Sequence, residues 1–363
     1  MRYLFLLSFL FAGPVERKIP VLAFYIPLYQ TPAVSKKWGE WRVVLSEEEI
    51  LLARQDPEKA KKLERFYTAK EERMRLGIFF PEEDDYAELT EDGLPAGRTT
   101  NHPLIGFYDS TDEKLLRTHL RWAKQAGIDG FIVSWRGRDS LSDQVFRKML
   151  EISARIQGPF LTIRYEEVSL PTKEQVLEDL TYILDNYALQ DKFLRREEQP
   201  VLFLSTRAMQ ALNRLEWAEV GTTLKNYFAL LFAEVADPYE LPENIEGAHW
   251  SNPIEQILKV GKEKMKQEYE SYVERARSKG RLACIPVIPG YDDTRIRKEG
   301  KKVDREGGEV YVRLFEYARA ANPDCILITS WNEWGEGTEI EPSVEYRDVY
   351  LRLTRIYTIL APK

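Results

Sequence analysis

Short apolar runs recur along the whole chain, and this repetition constrains the fold more than any other feature. The runs are continuous rather than alternating and are rich in β-branched and aromatic residues. That pattern is typical of strands buried on both faces of a parallel sheet. The eight runs are residues 20–25, 129–135, 159–165, 200–205, 227–235, 245–250, 282–288 and 325–331, of which 245–250 has the weakest strand pattern.

Charged segments with apolar residues at helical spacing separate these runs. They are residues 112–127, 142–156, 172–187, 211–225, 254–280, 307–321 and 345–360. Strands that alternate with helices predict a parallel α/β fold, and 363 residues suit one (β/α)8 TIM barrel spanning residues 20–363. A doubly wound open sheet is the alternative. No glycine-rich phosphate loop follows any run, which disfavours a dinucleotide-binding sheet.

Two segments depart from this repeat. Residues 38–98 form a charged, largely helical insertion after the first strand, and in a barrel it would emerge at the catalytic face. It is either a wall or lid over the site or a solvated segment with no catalytic part. Residues 1–13 have the pattern of a secretory signal peptide cut near Ala12 or Gly13, with an apolar N-terminal strand as the alternative. The apolar stretch is too short for a stable membrane anchor, so we expect a secreted or periplasmic protein.

Charge and residue counts exclude several classes of function. A net charge of -7 disfavours a nucleic-acid or anionic-membrane surface. The three histidines show no metal-ligand spacing, and no G-x-S-x-G elbow indicates a serine hydrolase. Cys284 and Cys325 each lie in an apolar run, so we expect buried free thiols, or one disulfide if those strands are neighbours.

Aromatic and polar residues collect where the predicted strands end. In a barrel these ends form one rim, and flat rings beside carboxylates and amides suit carbohydrate, because sugar C–H faces stack on rings while hydroxyls pair with polar groups. The sequence therefore predicts a carbohydrate-binding rim made of Tyr25, Tyr29, Trp135, Glu166, Trp250, Tyr291, Asn332 and Trp334.

The eighth run leads into "WNEWGEGTEIEPS", which contains four glutamates. Glycoside cleavage commonly uses one carboxylic acid to protonate the leaving oxygen and a second carboxylate to support attack at the anomeric carbon. Glu333 and Glu336 are the natural pair, since Gly335 and Gly337 permit a sharp turn that brings them to one cavity. Glu339 and Glu341 are interpreted as ordinary surface acids.

Four stretches in register resemble glycoside hydrolase family 99, the endo-α-1,2-mannosidases and endo-α-1,2-mannanases, or the closely related family-99-like group. They are "SWNEWGEGTEIEP" (330–342), "HPLIGFYDSTDEKLLRTHLRWAKQAGIDGFIVSWRG" (102–137), "EDLTYILDNY" with "PVLFLS" (178–205), and "IPVIPGYDDTRIR" (285–297). The resemblance implies a (β/α)8 barrel that cleaves internal α-mannosidic bonds with retention and needs no cofactor.

The resemblance also implies residue roles. Glu333 would be the base acting on the sugar 2-hydroxyl, through a 1,2-anhydro sugar, and Glu336 the general acid and base. Glu166 would contact sugar hydroxyls, and Trp135, Tyr291 and Tyr25 would line subsites.

Two positions depart from the family pattern, which usually has His where this chain has Gly335 and where it has Arg164. A non-hydrolytic carbohydrate-binding or polysaccharide-assembly protein of the family-99-like group is therefore the alternative. A glycosyltransferase is a weaker one, because no nucleotide-sugar phosphate site is visible.

Overall fold

Eight parallel strands close into a barrel. The computed structural model describes residues 19–35, 40–41, 99–166, 171–297 and 299–360. The predicted signal peptide and, apart from Glu40 and Trp41, the predicted insertion lie outside them. The barrel strands are β1 (Val21–Tyr25), β2 (Gly130–Trp135), β3 (Phe160–Tyr165), β4 (Gln199–Leu204), β5 (Leu230–Glu234), β6 (Gly247–His249), β7 (Leu282–Val287) and β8 (Cys325–Ile328).

Each strand pairs with the next along the chain, and β8 returns to β1 with Val21 opposite Ile326. The sheet closes through β3 and β4, where Arg164 lies opposite Phe203. The predicted (β/α)8 fold is confirmed, including the weakly patterned sixth strand, which is only three residues long. Two-residue strands add a short antiparallel partner to β4 (Arg195–Arg196) and a hairpin beyond β7 (Tyr291–Asp292 with Lys302–Val303).

Helices surround the barrel at the positions that the apolar spacing predicts. They are α1 (Glu113–Gln125), α2 (Leu141–Ile156), α3 (Lys173–Tyr187), α4 (Arg214–Leu224), α5 (Met265–Ser278), α6 (Glu309–Ala321) and α7 (Val349–Arg355). Shorter helices occupy Pro32–Ser35, Thr206–Ala211 and Ile254–Val260. The 3-10 turns are Lys225–Tyr227, Pro238–Glu240, Lys262–Lys264, Glu306–Gly308 and Trp334–Glu336, and a π-helical turn occupies Ile356–Leu360.

The predicted helix over 254–280 is wrong as one element. It breaks at Gly261, whose backbone (φ 82, ψ 155) lies in a region that only glycine adopts readily, and the chain restarts as α5 four residues later. No helix in the described part of the chain combines the length and apolar character that crossing a bilayer requires.

Strand alternation divides the apolar residues into two layers. One cluster fills the barrel interior and includes Leu22, Phe24 and Phe203, while the larger one lies between the strands and the surrounding helices. The expectation of free thiols is wrong: Cys284 and Cys325 are directly paired in the register of β7 and β8, and they form a disulfide in the interior cluster. Because this register brings their Cα atoms to 4.7 Å, the bond needs no displacement of either strand.

Candidate active site

The loop after β8 holds Glu333 and Glu336 on a short 3-10 turn, Trp334–Glu336. The Glu333 N–H donates to the Ser330 hydroxyl (2.6 Å), and Gly337 ends the turn in the left-handed region at φ 58, ψ 33. Glu333 and Glu336 are partly exposed, whereas Trp331, Asn332 and Trp334 are buried. The turn therefore leaves the two predicted catalytic carboxylates accessible while their neighbours are enclosed.

Glu336 is held by two side chains from neighbouring loops. Arg297 donates to its Oε1 at 3.0 Å, and the Asn252 amide reaches its Oε2 at 3.5 Å. Burial raises the pKa of Glu336, and the charge and hydrogen bond of Arg297 oppose that rise. A carboxyl with a raised pKa that remains within reach of solvent is suited to donating and recovering a proton.

Arg297 connects Glu336 to the loop after β7. Its guanidinium also contacts Asp293 and donates to the Tyr291 hydroxyl (2.6 Å), and that hydroxyl donates to Asp293 Oδ2 at 2.8 Å. Burial and the charge of Glu336 raise the pKa of Tyr291, so its proton is firmly held. Tyr291, which the sequence predicts as a rim residue, thus lies in the network around Glu336, and only 2% of it is exposed.

A second charged group lies at the ends of β3 and β5. Arg164 donates to Glu166 Oε1 (2.7 Å) and to Glu234 Oε2 (2.5 Å). Burial alone would raise the pKa of Glu234, but the charges of Arg164 and His249 and the Ser251 hydroxyl lower it to about 2. Burial lowers the pKa of His249 to about 4, so this histidine is charged in the acid range where Glu234 titrates and neutral near pH 7.

The predicted rim aromatics divide into two sets. Trp250 is partly exposed, and its indole N–H donates to the Asn252 backbone (3.0 Å), beside the amide that reaches Glu336. Tyr25 and Trp135 are fully buried between the strands and the helices, where the Tyr25 hydroxyl meets His119 (3.1 Å) and the Trp135 indole donates to Asp143 (2.9 Å). In this structure these two side chains pack behind the rim, between strands and helices, and do not line it.

Three further predicted residues form the frame of the loop. Asn332 clamps the end of β1, accepting from the Ile26 N–H (2.7 Å) and donating to the Ile26 carbonyl (3.0 Å). The Tyr29 hydroxyl donates to the Asn332 carbonyl at 2.7 Å and accepts from the Trp334 N–H at 3.2 Å. All three predicted residues, Tyr29, Asn332 and Trp334, are buried at 1% exposure or less, so they position the carboxylates without an open surface of their own.

Glu339 and Glu341 are not ordinary surface acids, and that interpretation is corrected. Both are buried. Glu339 Oε1 accepts from Arg305 and from Asn101 (2.8 Å). Glu341 accepts from the Tyr108 hydroxyl (2.8 Å) and contacts His119 Nε2 at 3.1 Å. These two glutamates connect the loop after β8 to the chain that follows the insertion.

Sequence reasoning missed Arg297 and Asn252 as contacts of Glu336 and Glu234 as a partner of Arg164. Arg297 lies in the motif that ends at residue 297, and Asn252 lies two residues after the predicted Trp250. A search of the rim for cations able to pair with Glu336 would have found Arg297. Within the residues that the structure describes, no three His, Cys, Asp or Glu side chains are arranged to hold a metal ion.

A family of known proteins matches most of the chain. The model of glycosyl hydrolase family 99 matches residues 18–225 and 261–354. The chain belongs to glycosyl hydrolase family 99. This membership confirms the resemblance noted in the sequence.

Curated relatives and solved structures are similar to this family 99 chain at low identity. The rat glycoprotein endo-alpha-1,2-mannosidase is 24% identical over 271 residues, covering 68% of this chain and 57% of its own length. The mouse protein is 25% identical over 293 residues, covering 70% and 62% respectively. The match thus spans about three fifths of these relatives.

Among solved structures, the GH99 endo-alpha-mannosidase from Bacteroides thetaiotaomicron superposes with a TM-score of 0.71 at 22% identity, covering 93% of this chain and 96% of that one. A glycoside hydrolase-like protein gives 0.63 at 14% identity, covering 95% of each chain. At such identities the superpositions establish the (β/α)8 fold of this family 99 chain and nothing finer.

Proposed function

We propose that this protein is an endo-acting glycoside hydrolase that cleaves internal α-mannosidic bonds with retention. Family membership and the endo-alpha-1,2-mannosidase relatives support the reaction class. The observation that carries the proposal is the environment of Glu336, which is partly exposed, raised in pKa by burial, and held by Arg297 and Asn252 three residues after Glu333.

The proposed chemistry uses these two carboxylates in two steps. Glu333 takes the proton of the sugar 2-hydroxyl, the 2-oxygen attacks the anomeric carbon to close a 1,2-anhydro ring, and Glu336 gives its proton to the departing glycosidic oxygen. Glu336 then takes a proton from water, whose oxygen opens the ring at the anomeric carbon, and Glu333 returns its proton to the 2-oxygen. Two inversions at one carbon give net retention, as in other retaining glycosidases.

Substrate binding is proposed for Glu166 and Trp250, which have exposed surface at the rim. Glu166 Oε1 is occupied by Arg164 and by the Ser134 hydroxyl at 3.1 Å, and neither contact uses Oε2, which is the oxygen we assign to a sugar hydroxyl. Trp250 offers part of an indole face for stacking on a sugar ring.

We also propose that the protein acts outside the cytoplasm, as its N-terminal sequence predicts. The disulfide between Cys284 and Cys325 supports this location, because such bonds persist mainly in oxidising compartments. Expression of the full chain, fractionation of the cells and N-terminal sequencing of the product test the proposal. An intact N-terminus on a product that stays in the cytoplasm would contradict it.

A carbohydrate-binding protein without hydrolysis is the second candidate. Gly335 and Arg164, which stand where the family pattern has His, favour it. Incubation with α-mannan and other α-glycans, followed by analysis of product mass and linkage, separates the two. Hydrolysis predicts short oligosaccharides from the wild type and from Glu274→Gln, an exposed control on α5. Glu336→Gln and Glu333→Gln should each abolish their release. Binding with no release from any glycan would favour the second candidate.

A further inference from the structure

Arg164 occupies an unusual position for an arginine, because it points into the barrel at the inner end of the candidate active site. Alternation along β3 places it in register opposite Ser134 of β2 and Phe203 of β4, and its guanidinium lies over the Phe24 ring of the barrel interior, 5.3 Å from the centroid. A buried cation is costly unless its donors are satisfied by charged acceptors, so its contacts decide what it does.

The contacts of Arg164 form a line of side chains that runs from β2 through β3 to β5. One terminal nitrogen of its guanidinium donates to Glu166 Oε1, which also accepts from Ser134. The other terminal nitrogen donates to Glu234 Oε2. Glu234 is fixed in turn by the Ser251 hydroxyl and by the Thr206 backbone N–H at 3.0 Å. Each carboxylate is thus held by Arg164 and by a neighbouring strand or loop.

We propose that Arg164 is a positioning residue for the reaction because it bridges Glu166 and Glu234. The bridge keeps one oxygen of Glu166 directed to the substrate. It also means that the two carboxylates near Glu336 are paired with a cation rather than unpaired. This inference rests on the proposed function for its kinetic consequences only. Its electrostatic part concerns the protein without substrate.

Charged groups act on Glu336 from two directions, and Arg164 lies in one of them. Arg297 and Asp293 act on it from the loop after β7, where Tyr291 lies beside them, and the charge of Arg164 acts on it from β3. Arg164 in turn is faced by Glu166, Glu234 and, through Glu234, the neutral His249. Removal of Arg164 subtracts a positive charge and releases two negative ones, and both changes favour the protonated form of Glu336.

The structure also explains why the fork of an arginine is needed. Two carboxylates, one directly after β3 and one on β5, are bridged by separate nitrogens of one planar group, Nη1 and Nη2, while Nε has no partner among the residues described. A lysine carries the same charge on one nitrogen and cannot reproduce this bidentate geometry. Charge and geometry can therefore be separated by two substitutions, Arg164→Lys and Arg164→Met.

Arg196 provides a matched control. It pairs with Asp324 at 3.0 Å, and its side chain is 20% exposed, as is that of Arg164, while the partner carboxylates are 14% and 15% exposed. Arg196 lies before β4 and Asp324 before β8, so the pair sits at the opposite end of the barrel from Glu336. Arg196→Lys and Arg196→Met therefore make the same two changes, in geometry and in charge, to an ion pair remote from the candidate site.

The test combines titration with kinetics on the full-length protein. Carbon-13 NMR of labelled glutamate follows the titration of Glu336, whose signal is identified by its loss in Glu336→Gln. Arg164→Met should raise the pKa of Glu336 by about half a unit or more, while Arg164→Lys keeps it near the wild-type value. Both should raise KM for an α-mannan oligosaccharide about tenfold, because Glu166 loses its orientation, and the Arg196 variants should change neither quantity.

Several outcomes would overturn the proposal. An unchanged Glu336 titration in Arg164→Met, or equal effects from the Arg196 variants, would show that Arg164 acts only through general stability. If Arg164→Met does not fold, Arg164→Lys decides, and an unchanged KM there would refute the role of the fork. If the wild type cleaves no glycan, the proposed function fails, whereas the Glu336 titration still supports or refutes the electrostatic part of this inference.

Discussion

Glu339 makes a quantitative prediction possible, because it is buried and only one of its two carboxylate oxygens accepts hydrogen bonds from the described residues. Its Oε1 accepts from Arg305 and Asn101, but within the described chain its Oε2 is buried without a hydrogen-bond partner. Burial raises the pKa of Glu339 from 4.5 to about 7, although Arg305 opposes the rise. The folded protein therefore keeps this proton over a pH range in which the unfolded chain has released it.

The sign and size of the effect on stability follow from this difference. Between pH 4.5 and about pH 7 the folded state binds more protons at Glu339, so its contribution to the free energy of unfolding falls as pH rises. Linkage over the two pKa values gives a loss of about 2–3 kcal/mol between pH 5 and pH 8. Glu339→Gln, which imitates the protonated form, should remove that loss.

Urea unfolding of the wild type and Glu339→Gln at pH 5 and pH 8 measures it. The unfolding free energy of the variant minus that of the wild type should be about 2–3 kcal/mol larger at pH 8 than at pH 5. The exposed Glu274→Gln serves as the control and should show no such change. An equal difference at the two pH values for Glu339→Gln would refute the reasoning, because Glu339 would then ionise normally in the fold.

Three further perturbations have defined outcomes. Reduction of the Cys284–Cys325 bond, whose ends are 41 residues apart, should lower the unfolding free energy by roughly 4 kcal/mol, measured by urea unfolding with and without reductant; an unchanged midpoint would show that the bond does not form. Gly337→Ala should lower it by about 1–2 kcal/mol, since φ is 58° and the new Cβ would lie 3.1 Å from two backbone atoms; an unaltered melting temperature would contradict this. Asn332→Asp replaces the amide that donates to the Ile26 carbonyl by an acceptor, so thermal stability and kcat/KM should both fall, and retention of both would remove Asn332 from the frame of the loop.

The barrel could be predicted from the sequence because parallel strands buried on both faces leave continuous apolar runs, and those runs mark the strand ends where a site forms. The same continuity does not show which residues of each strand face the barrel interior and which face the helices. Tyr25 and Trp135 end their strands facing the helices, whereas Ser134 and Arg164 face the interior, and nothing in an unbroken apolar run distinguishes these directions.

Contacts between residues that are distant in the chain could not be predicted from the sequence, for a related reason. The carboxylate of Glu341 is buried by Tyr108 and His119, more than 200 residues earlier in the chain, so a local pattern of glutamates cannot show which are enclosed. The disulfide likewise depends on the register of β7 and β8 rather than on spacing. Sequence reasoning found the loop and its carboxylates, and the assembled barrel decides what each one contacts.

The division of the four glutamates after β8 has a practical consequence for mutational scanning. Alanine at Glu333 or Glu336 removes a group that we assign to the reaction, and alanine at Glu339 or Glu341 leaves buried hydrogen-bond partners of the same loop unsatisfied. All four substitutions would register as inactive in a screen for product. A substrate with an activated leaving group separates them, because departure of that group needs no proton from Glu336, so the Glu336 variant alone regains release of the leaving group in the first step.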